Sequence, residues 1–284
     1  MVINNPLENK GLLVRVTLAG HIWKRVWAWP KGQVAMARSL LLIDSLVAQT
    51  PLEFMINAEI NRKIIAVWKK YFNTSNEVYG PLFYDELTKG GLVFVGVNPS
   101  FTLKGFKHVL RDTEFESIDP ESFFLWSNIG ASVKHVDTCV LIDRNWTHKY
   151  HSYFKKMHEM ADAIKLPLQH IDVFLYKQTS QNDFLSRIIH KGKLNEFGEA
   201  QLAIFDEVLK TIEPKVIVVA NAFASSIVRT HFKDVLKFDE EHGFHILSLG
   251  SRKIPIFFSS MITGQRALDT GSYERLKWHV TQAV

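Results

Sequence analysis

The stretch Leu92-Val93-Phe94-Val95-Gly96-Val97-Asn98-Pro99-Ser100 decides the fold. Its first four residues are apolar and mostly branched, which is typical of a strand that is buried on both faces of a sheet. Gly96 permits close approach of another chain segment, and Pro99 ends the strand because proline has no backbone N–H donor. Asn98 and Ser100 are therefore predicted at the carboxyl end of a central strand, where ligands bind in open α/β sheets. The spacing matches neither a dinucleotide-binding fingerprint nor a phosphate loop.

Composition sets the class of protein. The chain has 284 residues, of which 46% are hydrophobic, and this is enough for one large α/β domain with a sizeable core. It lacks the run of about 20 apolar residues that spans a bilayer, so we expect no membrane association. Cys139 is the single cysteine, which indicates a reducing, cytoplasmic setting and excludes a four-cysteine metal cluster. The net charge of +5 is compatible with a polyanionic partner.

Apolar runs alternate with helical patterns along the chain. The alternation predicts a three-layer α/β/α sandwich with a mainly parallel central sheet. Residues 1–35 are predicted as an N-terminal extension, helical in part, and residues 36–284 as a single α/β domain. Residues 104–111 are expected to form a loop, residues 143–148 a polar interruption between helices, and residues 245–249 an edge strand. The predicted strands are 92–97, 171–176, 216–220, 245–249 and 254–258, and the predicted helices are 36–72, 120–165, 199–212, 222–232 and a last one from residue 272.

The order of the motifs resembles the uracil-DNA glycosylase superfamily. Gly96-Val97-Asn98-Pro99-Ser100 is similar to the first motif of that family in its mismatch-specific form, which has asparagine in the acidic position. The run from Pro214 to Ala222 resembles the later Pro-Lys strand, and Ser259–Gly264 stands in the place of the second motif. The resemblance covers residues 85–284. It departs from the family at Phe258, which stands where the second motif opens with histidine or asparagine.

The resemblance implies base-excision hydrolysis of an N-glycosidic bond, with DNA as partner, a nucleobase in the pocket and no cofactor. Asn98 is the implied catalytic residue, which positions water through its amide oxygen. Phe101 would stack on a base, Ile262 would act as an apolar wedge, and Arg266 would contact phosphate. The implied base-binding residues are Gly96, Val97, Pro99, Ser100, Phe101, Gln178 and Asn221. The implied DNA-binding residues are Lys104, Lys107, Ser259, Ser260, Ile262, Thr263 and Arg266.

Each of these roles has a structural alternative. Asn98 can simply cap the turn after its strand, Phe101 can belong to the core, and Arg266 can be a solvated side chain. Asp172 and Gln178 bracket the second predicted strand, where the family reads the edge of the base. Asp172 lies near the predicted start of that strand, so capping is the favoured role, and Gln178 is the better candidate for base recognition.

Two basic clusters follow predicted strands and can either track phosphates or form solvated faces. The first contains Lys104, Lys107, His108 and Arg111, and the second contains Arg187, His190, Lys191 and Lys193. The histidines His148, His151 and His158 have no cysteine or carboxylate partner at zinc-ligand spacing, so no metal site is expected.

Three functions stay open on these grounds. The leading hypothesis is a uracil-DNA-glycosylase-like enzyme that removes uracil or a mismatched base. The second is a catalytically inactive nucleic-acid or nucleotide-binding module of the same fold, which Phe258 favours. The third is a small-molecule enzyme that uses the cleft at the strand ends, since fold alone does not determine function.

Overall fold

A mostly parallel six-stranded sheet, flanked by helices, forms the centre of the molecule. The computed structural model describes residues 57–284, except residues 74, 76, 130, 131, 150, 265 and 266. The strands are β1 (Leu92–Gly96), β2 (Leu168–Asp172), β3 (Ile189–His190), β4 (Lys193–Leu194), β5 (Val216–Ala220), β6 (Leu236–Asp239), β7 (Phe244–Leu249) and β8 (Arg252–Ser259). The helices are α1 (Ala58–Phe72), α2 (Leu103–Leu110), α3 (Pro120–Phe123), α4 (Trp126–Ile129), α5 (Val133–Lys149), α6 (His151–Ile164), α7 (Gln181–Ile188), α8 (Glu196–Ile212), α9 (Ala222–His231) and α10 (Thr270–Gln282).

The sheet has the order β2-β1-β5-β8-β7-β6, while β3 and β4 form a separate hairpin. The first four of these strands are parallel, and β7 and β6 continue the sheet in antiparallel pairing. The register brings the carboxyl ends of the parallel strands level at one side of the sheet, which we call the carboxyl edge. The aligned pairs closest to it are Gly96 with Asp172, Val95 with Val219, and Ala220 with Ser259.

Side chains of the central strands alternate between two cores, which confirms the prediction of a mainly parallel sheet covered on both faces. In β1, Val93 and Val95 face one core, whereas Leu92 and Phe94 face the other. The larger core contains the apolar sides of α1, α8 and α9, and the smaller core is closed by α6 and α10. Because β1 is buried on both faces, its sequence shows a continuous apolar run rather than alternation.

Two buried amides hold irregular segments beside β2. Asn61 on α1 donates from Nδ2 to the Tyr84 carbonyl at 2.8 Å and accepts from the Tyr84 N–H at 2.9 Å. Gln201 on α8 accepts at Oε1 from the N–H groups of Leu175 at 2.8 Å and Tyr176 at 3.1 Å. Both amides are fully buried, so each provides hydrogen bonds that neither water nor a neighbouring strand supplies there.

A buried ion pair joins α5 to the segment that follows β2. The Lys177 ammonium lies 2.8 and 3.0 Å from the two oxygens of Asp143, and it is also 4.7 Å from the centre of the Phe124 ring. Lys177 is 1% exposed. Burial raises the pKa of Asp143, and the charge of Lys177 opposes this shift. Removing either partner would leave an uncompensated buried charge, so this pair fixes the position of the segment after β2.

The structure corrects four predictions made from the sequence. Residues 104–111 lie mostly in a helix, α2, and α5 continues through residues 143–148, where Asp143 pairs with Lys177 and Arg144 pairs with Asp85. The strand 245–249 is not at the edge, because β6 pairs with it on the outer side. The second strand is Leu168–Asp172 rather than 171–176.

The error at β2 has a physical reason. Residues 173–176 are apolar and buried, as a strand would be, but the N–H groups of Leu175 and Tyr176 bond to the Gln201 side chain. The consequence is that Asp172 lies at the carboxyl end of β2 and not near its start. The predicted extension, residues 1–35, and residues 36–56 of the first predicted helix lie outside the described residues. None of the described helices combines the length and the apolar character needed to cross a membrane.

Candidate functional site

Two loops at the carboxyl edge are joined directly by the side chain of Asn98. Its Nδ2 atom lies 3.2 Å from the carbonyl oxygens of Pro99 and Tyr176 and 2.7 Å from that of Gln178. The Gln178 N–H also donates to the Pro99 carbonyl at 3.1 Å. Three carbonyl oxygens around one atom identify it as the amide nitrogen, so the orientation of Asn98 is fixed.

The side-chain oxygen of Asn98, Oδ1, is the atom that can interact with water or a ligand. In the described part of the chain, no protein group donates a hydrogen bond to Oδ1. An amide oxygen at a fixed position can accept a hydrogen bond from water or a ligand, but it has no useful basicity. The arrangement therefore allows Asn98 both the structural role and the water-positioning role that the sequence left open.

Hydroxyl groups make a second link between the same loops. Ser100 Oγ lies 2.9 Å from Thr179 Oγ1, and the Phe101 N–H donates to the same Thr179 oxygen at 3.0 Å. The Gln178 side chain is turned toward its own loop, where Oε1 accepts from the Ser180 N–H at 3.0 Å. The oxygen of Gln178 thus has a local partner, which weakens the argument that Gln178 recognises a base.

A buried carboxyl group lies against Gly96 where β1 and β2 end. A Cβ atom at position 96 would overlap Asp172 Oδ1 and would lie 3.4 Å from His170 Nε2, so only glycine fits there. Asp172 is 5% exposed, and burial raises its pKa to about 7. No described group donates a hydrogen bond to this carboxyl. A buried acid without a partner or a counter-charge is expensive to maintain, and such groups are candidates for function.

Aromatic hydroxyls and an imidazole complete the surroundings of Asp172. The Tyr84 hydroxyl is buried and has no hydrogen-bond partner among the residues that the structure describes, and its pKa is raised by burial and then by the charge of Asp172. The pKa of Tyr153 on α6 is raised by burial and by the same charge. Burial lowers the pKa of His170 to about 4, so this imidazole is neutral at physiological pH. We call Tyr84, Gly96, Tyr153, His170 and Asp172 the carboxyl-edge cluster.

The other predicted site residues lie in different environments. Phe101 is buried against Tyr79, with ring centres 4.1 Å apart, and Ile262 is 1% exposed in the smaller core. Asn221 caps α9, because its Oδ1 accepts from the N–H groups of Phe223 and Ala224. Arg266 lies outside the described residues. Partly buried positions at the carboxyl edge are Val97, Pro99, Ser259 and Thr263, and exposed positions are Ser260, Lys104 and Lys107.

Phe258 is part of a packed group at the end of β8. The guanidinium carbon of Arg229 lies 3.9 Å from the centre of the Phe258 ring, and the His245 ring meets it edge-on at 5.2 Å. Arg229 Nη1 is also 3.2 Å from His245 Nε2. Phe258 thus contacts neighbouring side chains on the face of the sheet covered by α9.

The sequence analysis missed the carboxyl-edge cluster as a unit. Asp172 was placed near the start of its strand, and neither Tyr84 nor His170 was singled out. A signal was present at Pro167, because proline is compatible with the start of a strand and β2 begins at the next residue, Leu168. The approach of Asp172 to Gly96 depends on strand register, which a single sequence does not reveal.

Comparison with models of known protein families gives no match, and comparison with curated proteins gives none either. Within the described ranges, no three His, Cys, Asp or Glu side chains come together as a metal site.

A double-mutant cycle tests the close approach of Gly96 and Asp172. Gly96→Ala is expected to lower the free energy of unfolding by about 1–3 kcal/mol, since the new Cβ would displace the Asp172 carboxyl. The φ angle of Gly96 is not in the left-handed region, so backbone strain adds nothing to this cost. In an Asp172→Ala background, the same substitution should cost less than about 1 kcal/mol. Urea unfolding of the four proteins measures the coupling, and equal costs in both backgrounds would contradict this packing.

The raised pKa of Asp172 predicts how stability depends on pH. The acid titrates near 3.9 when unfolded and at about 7 when folded, so the folded state binds more protons between these values. The contribution of Asp172 to stability is therefore present below about pH 4 and is lost as pH rises to about 7. In Asp172→Asn this loss is absent, so its stability relative to wild type should rise by on the order of 2–4 kcal/mol from pH 4 to pH 8. Urea unfolding across this range measures the difference, and parallel curves would contradict the assignment.

Proposed function

We propose that this chain is a uracil-DNA-glycosylase-like hydrolase that binds DNA and cleaves the N-glycosidic bond of uracil or a mismatched base. The observation that carries the proposal is Asn98, whose amide nitrogen is held by three carbonyl oxygens and whose oxygen is left to accept a bond from water. The resemblance of residues 96–100 to the first motif of that family supports the same role. The ligand would occupy the carboxyl edge, as is usual in open α/β sheets.

The proposed reaction is hydrolysis of the bond between the sugar and the base. The bond between C1′ of the sugar and the base nitrogen breaks, the base leaves with the bonding electrons, and water adds to C1′ and releases a proton. Asn98 Oδ1 would orient this water without removing its proton. Because an amide cannot act as a base, the step depends on a sugar that already carries positive charge, and we expect slow turnover.

Asp172 is a suitable group to recognise the base. A carboxyl with a pKa of about 7 is about half protonated at neutral pH. In the protonated form, its hydroxyl can donate to O4 of uracil and its carbonyl oxygen can accept from N3–H. The resemblance implies base recognition beside this strand, and the position of Asp172 at the carboxyl end of β2 makes it a better candidate than Gln178.

Exposed residues around the cluster would hold the DNA. Lys104 and Lys107 lie on α2, directly after the loop that carries Asn98, and Ser260 follows β8. Ammonium and hydroxyl groups are common contacts for phosphate oxygens. The base would have to leave the helix to reach Asp172, at a cost of a few kcal/mol. The phosphate contacts would offset part of this cost.

A binding module without catalysis is the second candidate. The observation that favours it is Phe258, which packs against Arg229 and His245 in place of the polar residue that opens the second motif in the resembling family. In that case Asn98 would only join the two loops. This candidate predicts salt-dependent binding of DNA without release of a base.

Base release under single-turnover conditions separates the two candidates. Protein in large excess is incubated with labelled single-stranded and duplex oligonucleotides that carry uracil, G·U, G·T or hypoxanthine. We expect slow release of uracil by wild type and a loss of about 10²–10³-fold in Asn98→Ala, since a fixed polar contact to the reacting group is removed. Asn128→Ala is the matched control, because Asn128 Nδ2 also donates to a backbone carbonyl but lies on α4.

Asn98→Ala also removes the link between the two loops, so its thermal unfolding has to be compared with wild type. Asp172→Asn provides a second variant, because asparagine keeps one donor and one acceptor for uracil and should retain release. Release that is unaffected by Asn98→Ala would remove Asn98 from the mechanism. Absence of release together with steep salt-dependent binding would favour the binding module, and absence of both would contradict the proposal.

A further inference from the structure

We propose that the β3–β4 hairpin is a second contact with the phosphate backbone of DNA when a base occupies the carboxyl-edge cluster. The hairpin carries Lys191 and Lys193 at its tip and follows α7 directly. This inference rests on the proposed function and extends it to a surface outside the base site.

The topology places the hairpin at the same edge of the sheet as the proposed base site. Helix α7 begins after Thr179, which contacts Ser100 in the Asn98 loop, and α8 follows the hairpin and returns to the start of β5. The beginning of α8, next to the hairpin, is therefore at the carboxyl edge. A helix of eight residues spans about 12 Å, which corresponds to three or four nucleotides at about 3.4 Å per charge along one strand.

The hairpin is held firmly against α8. The Asn195 side chain donates from Nδ2 to the Arg187 carbonyl at 2.8 Å, and its Oδ1 accepts from the Gly198 N–H at 2.9 Å. A Cβ at Gly198 would lie 2.9 Å from the Ile188 carbonyl oxygen, so glycine permits the approach of the hairpin to the helix. A charged group on such a support is already positioned before a ligand binds.

The turn keeps a lysine in an unfavourable conformation. Lys191 and Gly192 have φ angles of 50° and 76°, the pattern of a two-residue hairpin turn in which asparagine or glycine is preferred at the first position. A lysine in a backbone conformation that favours asparagine or glycine is a reason to look for a functional role. At this position lysine would supply a positive charge for contact with phosphate.

The positive charges of the hairpin are available to a ligand. Lys191 and Lys193 are exposed, and in the described part of the chain neither forms an ion pair. They line an open groove of about 610 Å³ together with His190, and Glu196 contributes a carboxylate to the same groove. Phosphate oxygens are the natural partners for such unpaired ammonium groups on a nucleic-acid-binding surface.

A basic groove at the opposite end of the sheet provides the control. Lys215 and Lys253 line a groove of about 480 Å³ where β5 and β8 begin, and there Glu213 pairs with Lys89 and Arg252. Both control lysines are exposed. The variant pair Lys215→Gln and Lys253→Gln therefore removes the same charge from a site that the proposal leaves free of DNA.

The experiment compares the salt dependence of DNA binding in three proteins. The hairpin variant is Lys191→Asn with Lys193→Gln, in which asparagine favours the turn, so the hairpin should remain folded. For a 16-base-pair duplex with one uracil, we expect the slope of log K against log salt to decrease in magnitude by about 1.8 relative to wild type, since two phosphate contacts are lost. The control variant should keep the wild-type slope, and release of uracil from a trinucleotide should be unchanged in both variants.

Several outcomes would overturn the inference without affecting the proposed function. The first is a wild-type slope of log K against log salt in the hairpin variant, and the second is an equal decrease of that slope in the control variant. The third is a change in the release of uracil from the trinucleotide in the hairpin variant. Loss of binding to polyglutamate with unchanged binding to DNA would assign the hairpin to an acidic protein partner and overturn the inference. If wild type neither binds DNA nor releases uracil, the proposed function fails and the inference fails with it.

Discussion

Burial of β1 on both faces of the sheet is the constraint on which the rest of the structure depends. Neighbours must pair with β1 on both sides and helices must cover both faces, because its apolar side chains and its backbone groups have no other partners. The register of these neighbours then brings Asp172 level with Gly96. The loops after β1 and β2 emerge side by side, and Asn98 joins them.

Burial of unpaired polar groups in the carboxyl-edge cluster costs folding free energy, and packing alone does not explain why they are there. Within the described ranges, no group donates a hydrogen bond to the buried Asp172 carboxyl, and the Tyr84 hydroxyl near it has no partner either. By contrast, Asn61, Gln201 and the Lys177–Asp143 pair are buried polar groups whose hydrogen bonds are made within the protein. A carboxyl of raised pKa that lies at a strand end agrees with a role in ligand recognition. If the site binds a base, recognition of that base by Asp172 would explain why a carboxyl group is buried there.

The sequence predicted the layers of the fold better than the details of the site. The apolar runs at β1, β5 and β8 indicated central strands, since burial on both faces has a direct signature. At β2 the same signature extended into residues 173–176, whose backbone groups bond to Gln201, and the strand end was misplaced. The pattern therefore favoured a capping role for Asp172 over base recognition. Its approach to Gly96 is a product of register between strands that are about 75 residues apart, which no local pattern encodes.

We propose that the ligand binds at the carboxyl edge, beside Gly96 and Asp172. The most direct measurement is an NMR titration of isotope-labelled protein with a short uracil-containing oligonucleotide, followed through backbone amide shifts. We expect the largest changes in residues 96–101, 172–180 and 259–264, and we expect them to diminish in Asp172→Ala. Changes confined to the opposite end of the sheet, at residues 89–91, 213–215 and 252–254, would contradict it.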